Sequence, residues 1–216
     1  MPIKTIPGQL HLSQENGKLG HVQSFSITPH MDCPGETAEC AAICYAAKGT
    51  SLYFGGPYWA HNSSLVRENP AKILDLVPII RGPMFRIHVG GDFFSPEYVE
   101  AWTKVAILRP DTHFWTYTRS WRIPIILPEL IELSSLPNVT VWASCDRGTG
   151  EPPVGFKRAW LALTDTDTPP YPVDLVFRAV REARMPRMEG VVVCPVENGI
   201  KAGKEMNCKK CGICFR

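Results

Sequence analysis

Residues 84–120 read MFRIHVGGDFFSPEYVEAWTKVAILRPDTHFWTYTRS. Met84 to Val89 has the apolar character of a buried strand, and it breaks at Gly90-Gly91-Asp92. Ser95 and Pro96 then supply an N-cap and a first turn, and apolar residues recur at helical spacing up to Pro110. A second strand, THFWTYTRS (112–120), follows at once. Strand, helix and strand in close succession form a βαβ unit, and a crossover of that length joins parallel strands.

The same alternation extends in both directions. Upstream, SFSITPH (24–30) has strand character, and ECAAICYAAKG (39–49) reads as an Ala-rich helix ended by Gly49. GTSLYFGGPYWAHNSS reads as a Gly/aromatic loop, and NPAKILDLVPII (69–80) as a helix opened by Asn and Pro. Downstream come a helix after Pro128 and the strand NVTVWASCD (138–146). Three more strand-like runs follow at 158–164, 173–180 and 189–199 without helices between them. The prediction is an α/β fold with a mostly parallel sheet, a partial or irregular (β/α) barrel rather than a complete eight-fold one. Residues 1–216 make a single domain: an N-terminal arm (1–23), a barrel-like core (24–188) and a cysteine-rich, metal-binding C-terminal segment (189–216).

Composition narrows the compartment. A chain that is 44% hydrophobic and 20% charged is ordinarily globular, and a formal charge of +2 argues neither for nor against nucleic acid. No apolar run approaches the ~18 residues that span a bilayer. The N-terminal sequence lacks an apolar core with a cleavage site, so no membrane role and a cytoplasmic location are expected, in the host cytoplasm if the chain is phage-encoded. Eight cysteines in a reducing compartment point to metal rather than disulfides.

The thiols fall into two groups. Cys208-x2-Cys211-x2-Cys214, with Cys194-Pro195 upstream, has the spacing of the first part of a ferredoxin-type run and offers four thiolates. A [4Fe–4S] cluster is favoured there, with zinc as the alternative because four thiolates also close a zinc site. The second group is Cys33, Cys40 and Cys44. On a helix Cys40 and Cys44 share one face, and the loop with Pro34-Gly35 can fold Cys33 over them. Three thiolates suit a [4Fe–4S] cluster with one iron open, while His30 or Cys145 are groups that would close it. Cys145, at the end of a strand, is equally a candidate catalytic thiol or a buried one.

CPGETAECAAICYA, RIHVGGDFFSPEYVEAW, FWTYTRSW and CKKCGICF together resemble the phage and mobile-element "gene product 88" family, from about Ser24 to the end. More distantly, the layout resembles radical S-adenosylmethionine (SAM) enzymes. That likeness implies a three-cysteine cluster loop after the first strand, with an aromatic residue (here Tyr45) after its last cysteine. It also implies a Gly-Gly-acid motif after the second strand that holds the amino group of SAM, here Gly90, Gly91 and Asp92. The loop departs from the superfamily's usual spacing, being C-x6-C-x3-C. Without the resemblance, GGD is simply a tight strand-to-helix turn.

Asp92, Arg119 and Cys145 are the candidate catalytic residues. His88, Ser144, Thr116 and Tyr117 are further pocket candidates at strand ends. Arg119 and Arg122 are placed to hold a carboxylate or phosphate, or to form surface ion pairs. The aromatics of SLYFGGPYW fit core or lid packing better than a base-stacking platform. The expected function is therefore a two-cluster iron–sulfur protein with radical-SAM-like redox chemistry on a small-molecule substrate, served by a reductant protein. The alternatives are an iron–sulfur electron-transfer or binding protein without SAM, and a zinc-stabilised nucleic-acid-binding module.

Overall fold

The computed structural model of the chain describes residues 5–14, 17–48, 51–164, 166–179, 191–196 and 206–215. One sheet contains seven strands: β1 (Gln23–Phe25), β2 (Met84–Ile87), β3 (His113–Thr118), β4 (Val139–Cys145), β5 (Lys157–Ala162), β6 (Leu175–Arg178) and β7 (Val192–Val193). They stand in sequence order, and every neighbouring pair is parallel. Among the described residues β7 does not pair with β1, so the sheet is open. The expected parallel α/β architecture is therefore present. Parts of the expected core and tail, residues 180–190 and 197–205, lie outside the described residues.

Crossovers of one hand in a sheet wound in one direction collect their helices on one face. Helix α1 (Ala38–Ile43), helix α2 (Gly56–Glu68) and a 3-10 segment (Pro70–Leu76) lie between β1 and β2. Helix α3 (Pro96–Leu108) joins β2 to β3, and helix α4 (Leu127–Ser135) joins β3 to β4. Side chains alternate across the strands with period two. Phe25, Phe85, Phe114, Val141 and Ala143 join helix residues such as Trp102 and Leu130 in the larger core. Their neighbours Trp115, Trp142, Ala159 and Leu175 belong to a second core, with Leu19, Val22, Cys194, Cys208 and Cys214. The second face of the sheet is thus covered, among the described residues, by the arm and the cysteine-rich tail rather than by the crossover helices.

Three elements differ from expectation. Helix α1 covers Ala38–Ile43 and stops at Cys44, whose ψ of 107° leaves the helical region. The segment 70–76 is 3-10 rather than α-helical. The Gly/aromatic loop contains a helix, α2, preceded by a π turn (Ser51–Gly55). Helix α2 buries only Asn62, Ser63 and Val66, so it carries no apolar stripe by which a helix is read from sequence. Asn62 instead bonds the arm to the sheet: its Nδ2 donates to the carbonyls of His11 and Ser26, both at 2.9 Å, and its Oδ1 accepts from His11 N at 2.8 Å.

The arm is accordingly packed rather than free. Cys208 N donates to Lys18 O (2.9 Å) and Lys209 N to Leu19 O (3.1 Å), so the start of helix α5 (Cys208–Cys211) docks on the arm backbone. Gly212 ends α5 in the left-handed conformation, with φ 77°, as a glycine after a short cysteine turn does.

Candidate metal centre

The first thiol group is assembled beyond the carboxyl ends of β1 to β4. Ser26 Oγ accepts from Val89 N (3.1 Å) and Gly90 N (3.2 Å), and Ile27 N donates to Gly90 O (3.0 Å), stitching the ends of β1 and β2. Asp32 then fixes the start of the cysteine loop. Its buried carboxylate accepts from Thr28 N at 3.0 Å, Ser63 Oγ at 2.5 Å and Arg67 Nε at 2.6 Å. Its carbonyl accepts from Asp92 N at 2.8 Å.

Gly35 brings the loop onto β3. A Cβ at this position would lie 2.1 Å from the carbonyl oxygen of Arg119, so no larger residue fits without moving backbone. Arg122 Nη1 donates to Gly35 O at 2.9 Å, so this arginine holds the loop. Thr37 caps α1, accepting from Cys40 N at 3.1 Å while its hydroxyl donates to Asp146 Oδ2 at 2.6 Å. Asp146 also accepts from Arg119 Nη2 at 2.9 Å and from Gly148 N at 2.8 Å.

The GGD turn has a clear structural role as well. Gly91 has φ +79°, and a Cβ there would lie 2.3 Å from Ile27 Cγ1, so only glycine is accommodated. Asp92 accepts from Phe93 N through Oδ1 and from Arg119 N through Oδ2, both at 2.8 Å. Burial nevertheless raises its pKa, against these hydrogen bonds. Tyr45, after the last cysteine of the loop, donates its hydroxyl to Val89 O at 2.7 Å.

The second thiol group lies against the other face. Tyr117 Oη donates to Cys214 Sγ at 2.9 Å, and Trp142 Nε1 donates to Cys214 O at 2.9 Å. A single cavity of ≈ 1300 Å³ is lined by Cys33, Cys40, Cys44, Cys194, Cys208, Cys211 and Cys214 together. Tyr45, Gly90, Gly91, Asp92, Arg119 and Ser144 border the same space.

Other expected members are placed elsewhere. Cys145 does not line the cavity; it belongs to the helix-side core, 0% exposed, with its thiol 3.4 Å from Ala143 O. The reason is strand parity, since Ser144 is the neighbour bordering the cavity. Thr116 is also buried and off the cavity. His88 borders the cavity, yet its ring packs among Phe93, Tyr98 and Trp102, with Nε2 2.8 Å from Tyr98 Oη. His30 Nδ1 lies 2.6 Å from Glu36 Oε1, and His30 is not among the residues lining the cavity.

All eight cysteines are free thiols. Burial pushes Cys33 well above the ordinary thiol range, with the Asp92 charge adding to it. Cys40 is pushed up to about 11 by burial, opposed by Arg119. Cys208 is likewise pushed up to about 11 by burial and by Cys214, opposed by Lys18 and Arg86. Thiols of this kind are neutral alone, and a metal that binds them must displace protons.

Among the described residues no three His, Cys, Asp or Glu side chains converge on one metal-ion position. Zinc needs four donors ~2 Å from a single point. The seven thiols instead line one wide cavity.

The family model described as "Gene product 88" matches residues 4–216. The chain belongs to that family. It is 32% identical to the Gene 88 protein of Mycobacterium phage L5 over 233 aligned residues, covering 98% of this chain and 90% of that protein. It is 29% identical to the Gene 88 protein of Mycobacterium phage D29 over 235 aligned residues, covering 98% of this chain and 91% of that protein. The match includes the arm, which the motifs alone did not place in the family. No solved structure matches. Among the described residues no helix is long and apolar enough to cross a membrane.

Several site residues escaped sequence reading. Asp32 and Asp146 each adjoin a cysteine, and both are buried carboxylates that organise the first thiol loop. Their neighbours Cys33 and Cys145 carried the more recognisable chemistry, and spacing does not distinguish a buried carboxylate from a solvated one. Arg86 was also missed. It lines the cavity although it lies in an apolar strand.

Proposed function

We propose that this member of the Gene product 88 family is an iron–sulfur protein with two [4Fe–4S] sites. Cys33, Cys40 and Cys44 would hold the first with one iron open, and Cys194, Cys208, Cys211 and Cys214 would hold the second with four thiolates. What supports this is the convergence of seven cysteines from distant segments on one cavity, while the eighth faces the opposite side of the sheet. Bound clusters supply one-electron chemistry. The chain's own part is to fix the thiols: Asp32, Gly35 and Asp146 seat the first loop, and the arm and Tyr117 seat the tail.

The radical-SAM-like form of this function draws support from position. The three-thiol loop follows β1 and the GGD turn follows β2 in a parallel sheet wound in sequence order, as in a partial barrel. Asp92, which accepts from Phe93 N and Arg119 N, is the acidic residue of the turn and borders the cavity. Gly90 and Gly91 border the same cavity. In this form Cys33, Cys40 and Cys44 would hold the cluster, Gly90, Gly91 and Asp92 would hold the amino group of SAM, and the bound pair would supply radical chemistry to a small-molecule substrate in the same cavity.

The second form keeps both clusters without SAM, as a redox protein. Cys145 faces away and His30 bonds Glu36, so in this form a carboxylate bordering the cavity, Glu36 or Asp92, or an external ligand would close the first site.

Iron and acid-labile sulfide in anaerobically purified protein test the proposal. About eight irons per chain are expected, falling to about four when Cys33, Cys40 and Cys44 are replaced by Ala. Zinc without sulfide would refute the proposal and favour a structural zinc module, to be followed by a nucleic-acid binding assay. With the clusters present, 5′-deoxyadenosine formed from SAM under dithionite separates the radical form from the second.

A further inference from the structure

We infer that the two thiol sites differ in redox potential, with the C-terminal site the higher, and that an electron entering the protein settles there first. This rests on the two-cluster function proposed above. The charges around the two sites carry it, because adding an electron to a site adds negative charge. Nearby cations and O–H···S hydrogen bonds favour that change, and buried carboxylates oppose it.

At the C-terminal site the surroundings are cationic and donating. Arg86 is 8% exposed and borders the cavity. Its Nε donates to His88 O at 2.9 Å, and its guanidinium carbon stands 4.5 Å from the Tyr117 ring centroid. Among the described residues no carboxylate forms an ion pair with Arg86. A guanidinium buried in this way needs a compensating anion. Arg86 and Lys18 line the cavity together with Cys208 and Cys214, and the Lys18 carbonyl accepts from Cys208 N at 2.9 Å. Tyr117 adds its hydroxyl as a direct donor to Cys214 Sγ at 2.9 Å. Cluster binding, which deprotonates the thiols of the tail, would supply that anion beside Arg86.

At the N-terminal site the balance is reversed. Asp92 is a buried carboxylate beside the cysteine loop. Asp92 and Glu36 line the cavity with Cys33 and Cys40, where their charges oppose added negative charge. The cation that favours charge at Cys40 is Arg119, and its guanidinium is already engaged by Asp146 at 2.9 Å. The cavity lined by both groups then joins a reservoir of lower reducing power to a site that demands a stronger reductant.

The test is a potentiometric titration of the anaerobically reconstituted full chain with dithionite as the one-electron donor, followed by electron paramagnetic resonance. The Cys33/Cys40/Cys44→Ala variant identifies the signal of the C-terminal site. In the wild type that signal is expected to appear at the higher potential. Tyr117→Phe keeps the ring and removes only the O–H···S bond, so it should move the C-terminal midpoint to lower potential and leave the N-terminal one in place. Reduction of the N-terminal site first would overturn the inference while leaving two clusters intact. So would a Tyr117→Phe midpoint that does not move, or that moves equally at both sites. A chain holding neither iron nor sulfide would overturn the inference together with the two-cluster function beneath it.

Discussion

Replacing Asp146 by Ala removes the carboxylate that joins the ends of three elements. Its side chain is completely buried and accepts from Thr37 Oγ1 (2.6 Å), Arg119 Nη2 (2.9 Å) and Gly148 N (2.8 Å). Without it the Arg119 guanidinium, whose side chain is 11% exposed and whose buried Nε already lacks a hydrogen-bond partner, is left uncompensated. Breaking one side of a buried ion pair costs ~3–5 kcal/mol. The lost bonds to Thr37 and Gly148 fall within that range, because contributions in one network do not add. A loss of ~4 kcal/mol lowers the folding constant by roughly a factor of 10³. Asp146→Asn keeps the shape and one acceptor oxygen, so about 1–3 kcal/mol is expected. Urea unfolding followed by circular dichroism, under anaerobic conditions, measures both. Since Thr37 caps the helix that carries Cys40, iron should be lost from the N-terminal site before the C-terminal one. An Asp146→Ala protein within about 0.5 kcal/mol of wild type, the range of ordinary surface changes, would refute this account of the loop.

Three further outcomes follow from particular contacts. Gly35→Ala places a Cβ on the Arg119 carbonyl, and since backbone must yield, a cost at or above the upper end of ~1–3 kcal/mol is expected, with iron lost from the first site. Cys145→Ala should leave iron and sulfide per chain unchanged, because the thiol lies in the helix-side core; loss of the first cluster in this variant would show that Cys145 is a ligand. Burial, and secondarily Arg86, lowers the His88 pKa from 6.5 to about 3. The unfolded chain therefore binds the extra proton first, and the stability due to neutral His88 is full above pH 6.5 and is lost as pH falls from 6.5 toward 3. His88→Asn, suited to the left-handed φ of 59°, should flatten that part of the urea-midpoint profile.

Much of the fold was legible because strands and helices announce themselves locally. Residues 84–120 show it best: the Ser95–Pro96 start, the helix to Leu108 and the strand at His113–Thr118 all appear as expected. Helix α2 did not announce itself, because its buried face consists of Asn62, Ser63 and Val66. The arm looked irregular and polar, yet its backbone supplies acceptors to the start of the tail helix, and no pattern in either segment encodes that pairing.

The sequence by itself determined which atoms are available: seven thiols in two spacings, a glycine pair before an acid, and a parallel α/β chain to carry them. Those are properties of short segments, set by residue type and period. Tertiary structure alone decided that both thiol groups open on one cavity, that Cys145 is excluded by strand parity, and that Asp32, Asp146 and Arg86 lie beneath the site. A charge's role depends on whether water or protein surrounds it, and burial is a property of the whole packed chain rather than of any stretch of it.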